Sequence, residues 1–253
     1  MGMRMMTRRD ALKKTALATA ACFTLRPQAF AQSNAPLIPP TPTPPAFPPG
    51  PFTLPPLPYA YDALQPFMDA ATLRIHHDQI HQGYVDHLNA AVAGNLELSS
   101  QTVKHLLENL NAAPEAIRPA IQLNGGGHYH HSLFWQMMSP SGGGQPGGAL
   151  MAAIDGRFKN FDSFKADFKA AAMARSGNGW TWLLIGSDKQ LAIESTVNED
   201  SPVSVGKQIL LGLDGWDHAY PPKYQDRRGD YVDAWFNVVD WYFVAQRWQS
   251  PGE

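Results

Sequence analysis

The sequence holds a single cysteine, Cys22, in 253 residues. An intrachain disulfide is therefore excluded, as is a metal site built from paired thiolates. Cys22 also falls inside the stretch read below as a signal peptide, so the mature chain would carry no thiol and any metal would be held by imidazole and carboxylate. Basic charge is also scarce. The chain has 20 Lys and Arg against 22 Asp and Glu, a net charge of −2. Residues 1–31 take six of the basic residues (Arg4, Arg8, Arg9, Lys13, Lys14, Arg26) and one acid, Asp10, leaving 14 against 21 for the remainder, or −7. Such a body is a poor nucleic-acid binder, since phosphate neutralisation needs clustered Lys and Arg. Long apolar runs are missing too. Thr15 to Leu25 is too short to cross a bilayer core of about 30 Å at about 1.5 Å per residue, so no transmembrane segment is expected.

What is present begins with an export pattern. Thr7-Arg8-Arg9-Asp10-Ala11-Leu12-Lys13 resembles a twin-arginine signal, with Ala11 where Phe is usual. The apolar run follows, then Ala29-Phe30-Ala31 as a small-x-small cleavage site, so residues 1–31 read as a signal peptide rather than a basic tail. The protein is expected in the periplasm or outside the cell. Thr19-Ala20-Ala21-Cys22 is a poor lipoprotein site, so anchoring at Cys22 is not expected. Twelve prolines between Pro36 and Pro58 follow. Proline fixes φ and removes a backbone donor, so residues 32–56 read as an extended tether.

From Asp69 the pattern is helical, with Leu73, His76/His77, Ile80, Tyr84 and His87/Leu88 at steps of three and four. Gly94-Asn95 stops it. A shorter helix is expected over Thr102–Asn109, and a third from Pro119 to Met138. The third contains Gly125-Gly126-Gly127, each glycine costing about 1 kcal/mol against alanine, a cost kept where something must approach closely. Ser139 to Gly148 marks a domain boundary, giving residues 57–141 and 142–253. Beyond it come a helix (Ser163–Arg175), strands at Trp180–Gly186, Leu191–Thr196 and Gln208–Leu213, and an aromatic-rich helix from Tyr231 to Trp248. Helices first, then strands with helices, is an α+β arrangement.

Of nine histidines, seven form two clusters: His76, His77, His81 and His87, then His128, His130 and His131. His218 closes Asp214-Gly215-Trp216-Asp217-His218, and His105 stands alone. Asp214 and His218, four apart, can be aimed at one point by a single turn. Imidazole with carboxylate suits Mn, Fe or Zn.

Further motifs narrow the reading. Leu57-Pro58-Tyr59-Ala60-Tyr61-Asp62-Ala63-Leu64, Ile75-His76-His77, Tyr84-Val85, Asn124-Gly125-Gly126-Gly127-His128, His131-Ser132-Leu133-Phe134-Trp135, Gly179-Trp180-x-Trp182-Leu183 and Asp214-x-Trp216-x-His218-Ala219-Tyr220 resemble iron/manganese superoxide dismutases, in order, from Leu54 to Trp248. The resemblance implies an N-terminal long helical hairpin domain, then a C-terminal α/β domain with a three-stranded antiparallel sheet. It implies one Mn or Fe ion per chain, held by His76, His131, Asp214 and His218, and dismutation of superoxide to oxygen and hydrogen peroxide. Tyr84 matches the gating tyrosine, Arg228 the channel arginine, and Trp180, Trp182 and Trp216 the aromatic shell. A homodimer is also implied.

Four departures from the family pattern stand out. The glutamine set against the metal-bound solvent is absent: its two usual places hold Gly127 and Glu199. That layout leans toward manganese if Glu199 faces the site rather than turning outward. Ile80 and Pro221 replace the histidine and tyrosine that pair across the dimer interface, Asp217 replaces the interface glutamate, and His130 replaces asparagine. A rewired or weakened dimer is the expectation. A metallohydrolase, an iron oxygenase, or a catalytically impaired exported metal-binding protein on the same scaffold remain alternatives at this stage.

Overall fold

The structure, a computed structural model, describes residues 50–250. The export signal and most of the proline-rich segment lie outside the described residues. The contacts begin inside the segment read as a tether. Asn89 donates to the Phe52 carbonyl at 2.8 Å and accepts from the Phe52 N–H at 3.0 Å. His77 Nε2 bonds the Pro55 carbonyl at 2.8 Å. A proline-rich strand cannot pair with a sheet, but it can dock its remaining carbonyls on side chains.

The first long helix covers 70–92. Asp69 caps α1 (Ala70–Ile75) by accepting from Thr72 N. A π-helical stretch (His76–His81) follows, then α2 (Gln82–Val92). The π stretch changes the expected face. In a regular α-helix, residues five apart point roughly 140° away from each other. The i→i+5 period of a π turn lines them up. His76 and His81 are therefore both fully buried while Ile80 is only half-buried. Short helices α3 (Leu96–Ser99) and α4 (Val103–Glu108) lead to the return helix over 118–136. That helix comprises α5 (Arg118–Ala120), a second π stretch (Ile121–Gly125) and α6 (Gly126–Gln136). It stops two residues before the expected Met138, which instead makes an antiparallel bridge to Val239.

The second half adds α7 (Gly148–Phe158), which was not expected, and α8 (Phe161–Ala174), capped by Asn160. Strands β1 (Gly179–Ile185), β2 (Leu191–Val197) and β3 (Gln208–Asp214) form an antiparallel sheet in the order β2-β1-β3. Central β1 is buried from Gly179 to Leu184, because α8 lies against β1 and β2 while α6 and α11 (Trp241–Gln249) lie against β3. Helices α9 (Pro221–Tyr224) and α10 (Arg228–Trp235) connect β3 to α11. The single helix expected over Tyr231–Trp248 is broken. Asp240 caps α11 by accepting from Tyr242 N and Phe243 N, and the Met138–Val239 bridge occupies the gap.

One apolar cluster runs from Leu64 through Trp135 to Val244 and so joins both halves. The sequence break at 139–148 is thus a connection over a shared core. Among the described residues, no helix is long and apolar enough to cross a membrane.

Candidate metal centre

Four side chains from separate elements meet. His76 opens the π stretch, His131 sits mid-α6, Asp214 ends β3, and His218 follows in the next loop. One ligand atom from each lies within 4.8 Å of all the others. Around Asp214 Oδ2, the Nε2 atoms of His76, His218 and His131 stand at 3.0, 3.2 and 3.4 Å. A cation about 2.1 Å from each donor spaces its ligands by about 3.0 Å at a right angle and about 3.6 Å at 120°. The three distances fall inside that interval. Moreover, Nε2 of His76 and of His131 is buried without a hydrogen-bond partner among the described residues, despite lying near the carboxylate. Buried polar atoms are rarely left unpaired. Nitrogens aimed past the carboxylate fit a cation better than a hydrogen bond.

Electrostatics prepare the same set. His131 Nδ1 donates to the Gly127 carbonyl at 2.7 Å, which leaves the lone pair on Nε2. Burial pushes His76 down to about 3, so its ring stays neutral and able to ligate. Burial alone would raise the Asp214 carboxyl, but His218, His131 and His76 hold it well below the usual carboxylate range. Trp216 N donates to its second oxygen at 2.8 Å. Burial would lower His218, but Asp214 raises it, so that ring would give up its proton on binding an ion. As ligands, three imidazoles and one carboxylate would give the mixed N/O donor set that suits Mn or Fe.

The glycines of the return helix have two uses. A Cβ on Gly126 would stand 2.1 Å from the Glu199 carbonyl oxygen, and one on Gly127 would stand 2.4 Å from the Tyr84 ring. Gly125 meets only ordinary contacts, the nearest at 3.5 Å. Glu199 is thereby pressed in from the loop after β2, where Asn198 takes a positive φ of 48°. It faces the interior, 1% exposed. Its Oε2 accepts from Trp180 Nε1 at 2.9 Å and lies 2.7 Å from His130 Nδ1. Burial pushes the carboxyl up to about 8, Asp214 adding to this and His131 opposing it. Tyr84 stands over His131, ring centroids 5.3 Å apart, and burial raises its phenol well above the usual range, so the hydroxyl keeps its proton.

The aromatic residues divide. Trp180 meets His131 edge-on at 5.2 Å, and Trp216 stacks on His218 at 5.5 Å. Trp182 sits behind Trp180, stacked at 5.0 Å, and contacts His130 rather than a ligand ring. Trp135 lies 4.8 Å from His76, and Phe134 lies 5.8 Å from it. Neither had been assigned a role, although Trp135 stands four residues after His131 and so shares its helix face. Arg228 braces the ligand loop, donating to the carbonyls of Gly215 and Arg175, each at 2.6 Å.

A buried chain was also missed. Trp135 Nε1 donates to His81 Nδ1 at 3.0 Å, and His81 Nε2 lies 2.8 Å from His128 Nδ1. The Trp135 bond fixes the hydrogen of His81 on Nε2. His105, exposed on α4, bonds Asn109 and takes no part. Of the candidate interface residues, Asp217 is exposed, Ile80 half-buried, and Pro221 begins α9.

Sequence comparisons agree with this arrangement. The profile for iron/manganese superoxide dismutases, alpha-hairpin domain, matches residues 51–139, and the C-terminal domain profile matches 146–247. The "Superoxide dismutase [Mn/Fe]" of Methylomonas sp. (strain J) is 49% identical over 199 residues, covering 79% of this chain and 98% of the relative. The "Superoxide dismutase [Mn]" of Listeria monocytogenes is 51% identical with the same coverage. That of Pseudomonas aeruginosa is 50% identical over 198 residues, 78% of this chain and 97% of its own. The chain belongs to the iron/manganese superoxide dismutases, oxidoreductases that turn superoxide into oxygen and hydrogen peroxide.

Proposed function

We propose that the reaction runs at one manganese or iron ion held by His76, His131, Asp214 and His218. The observation that carries this is the set of three Nε2 atoms gathered within 3.4 Å of one Asp214 oxygen, two of them buried without a hydrogen-bond partner among the described residues. When bound, the ion supplies a one-electron couple: one superoxide loses an electron and leaves as oxygen, and another gains an electron and two protons as hydrogen peroxide. Three neutral imidazoles offset none of the cation's charge and Asp214 offsets one unit, so an anion is drawn in despite the acidic body. Tyr84, protonated and half-buried beside His131, narrows the approach and offers a hydroxyl donor. Arg228 keeps the loop of Asp214 and His218 in register. Trp180 and Trp216 keep bulk water off the ligand rings.

Manganese is favoured over iron, because the group at the site comes from position 199 while position 127 has no side chain. A homodimer, and export by the twin-arginine route to the periplasm or beyond, complete the proposal. The support for export is the pattern of residues 1–31.

The test is loading with Mn and Fe separately, then measuring bound metal and superoxide consumption. Activity with one ion identifies it, and full occupancy without activity contradicts the proposal. His131→Ala is expected to weaken metal binding by tenfold or more, an order of magnitude typical of disturbed metal sites, roughly as for lost outer partners or worse. His105→Ala is expected to bind normally. Equal retention in both would overturn the ligand assignment.

A further inference from the structure

Two departures from the family pattern, Glu199 and His130, are 69 residues apart in sequence and touch in the fold. His130 Nδ1 lies 2.7 Å from Glu199 Oε2, and both side chains are fully buried. The other ring nitrogen of His130 lies 2.9 Å from Ser201 Oγ. Trp180 Nε1 donates to the same Glu199 oxygen at 2.9 Å. Glu199 Oε1 is buried with no hydrogen-bond partner among the described residues.

We propose that His130 is a positioning residue for Glu199, and that the pair works as one unit that fixes the Glu199 carboxyl at the metal site. The proposal rests on the metal-site reading above. Its physical basis is reach. The side-chain amide of asparagine ends at the same bond count from the backbone as His Nδ1, so it can meet Glu199, but it cannot extend to Ser201. Histidine spans both and is locked at its two ends. With Oε2 held by His130 and Trp180, Oε1 is the carboxyl atom left without a hydrogen bond among the described residues. Buried polar groups tolerate little loss of partners, which makes each residue a poor substitution without the other. Outer partners of this kind tune metal affinity by roughly 10- to 100-fold.

Single-atom reach also supplies the test. His130→Asn keeps the contact to Glu199 and drops Ser201; His130→Gln places its amide where Nε2 was, keeping Ser201 and releasing Glu199. Purified variants are loaded from equimolar Mn and Fe, and the Mn:Fe ratio taken up is measured together with the reduction midpoint potential and visible spectrum of the Mn-loaded form. His130→Gln is expected to shift the uptake ratio by about tenfold and move the potential, and His130→Asn to shift the ratio less than about threefold. In a Glu199→Gln background, His130→Gln is expected to add less than about twofold, the non-additivity of coupled residues. Ser201→Ala, a milder change, is expected to move the ratio in the same direction by about two- to threefold, which decides the matter if His130→Gln does not fold. Equal shifts from the Gln and Asn variants, additive shifts in the Glu199→Gln background, or no shift from Ser201→Ala would overturn the pairing. Wild-type protein that takes up neither ion would instead refute the metal site, and the proposal with it.

Discussion

Asp214→Ala leaves a folded chain that carries less than about a tenth of an ion, where the wild type carries about one. Its carboxylate is the hub of the site, the atom from which all three imidazole nitrogens are 3.0–3.4 Å away. It is also the only anion in the set of four. Removing it leaves neutral donors to hold a divalent or trivalent ion, and hard cations need an anionic oxygen for charge as well as geometry. Asp214→Asn separates the two needs. The amide keeps the volume and can keep the bond from Trp216 N, seen here at 2.8 Å, yet it carries no charge. The same loss of metal is expected. Elemental analysis beside circular dichroism checks both variants. Stoichiometric metal in folded Asp214→Asn would mean that charge at this position is dispensable.

Gly126→Ala is expected to destabilise the protein by about 1–2 kcal/mol, lowering the melting temperature by roughly 2–8 °C. Two effects compete. Helix propensity favours alanine by about 1 kcal/mol. Against it, the new Cβ meets the Glu199 carbonyl oxygen at 2.1 Å, a backbone atom that cannot swing aside. Overpacking of that kind costs about 1–3 kcal/mol or more, so the clash wins. Gly125→Ala is the control. Its nearest new contact is 3.5 Å, so propensity should prevail and the variant should gain up to about 1 kcal/mol. Thermal and denaturant unfolding read both. A stabilised Gly126→Ala would show that the loop bearing Glu199 does not lie against the helix.

Helical spacing and a four-residue step made two histidine clusters and the Asp214–His218 pair legible, but only the resemblance to iron/manganese superoxide dismutases singled out His76 and His131 within those clusters. The three strands were legible from apolar runs separated by turn residues, and the Ser187–Gln190 turn is closed by Gly186 N donating to the Gln190 carbonyl at 2.9 Å. Local pattern failed where a non-local or irregular contact took over. The π stretch at His76–His81 turns His81 inward in place of Ile80, and no α-helical wheel contains that step. The interruption before α11 depends on the Met138–Val239 bridge, although Asp240 was readable as a cap. Helix α7 was readable in part. Leu150, Ile154 and Phe158 recur every fourth residue and are buried, but glycines at 148 and 156 mask the propensity. The His130–Glu199 contact joins residues on α6 and on the loop after β2, and nothing local ties them.

The most direct measurement is an anomalous difference map from crystals of the metal-loaded protein, collected on either side of the Mn and Fe absorption edges. One peak per chain is expected, about 2.0–2.2 Å from Nε2 of His76, His131 and His218 and from Asp214 Oδ2. A peak elsewhere, or those four side chains diverging with no peak among them, would contradict the account.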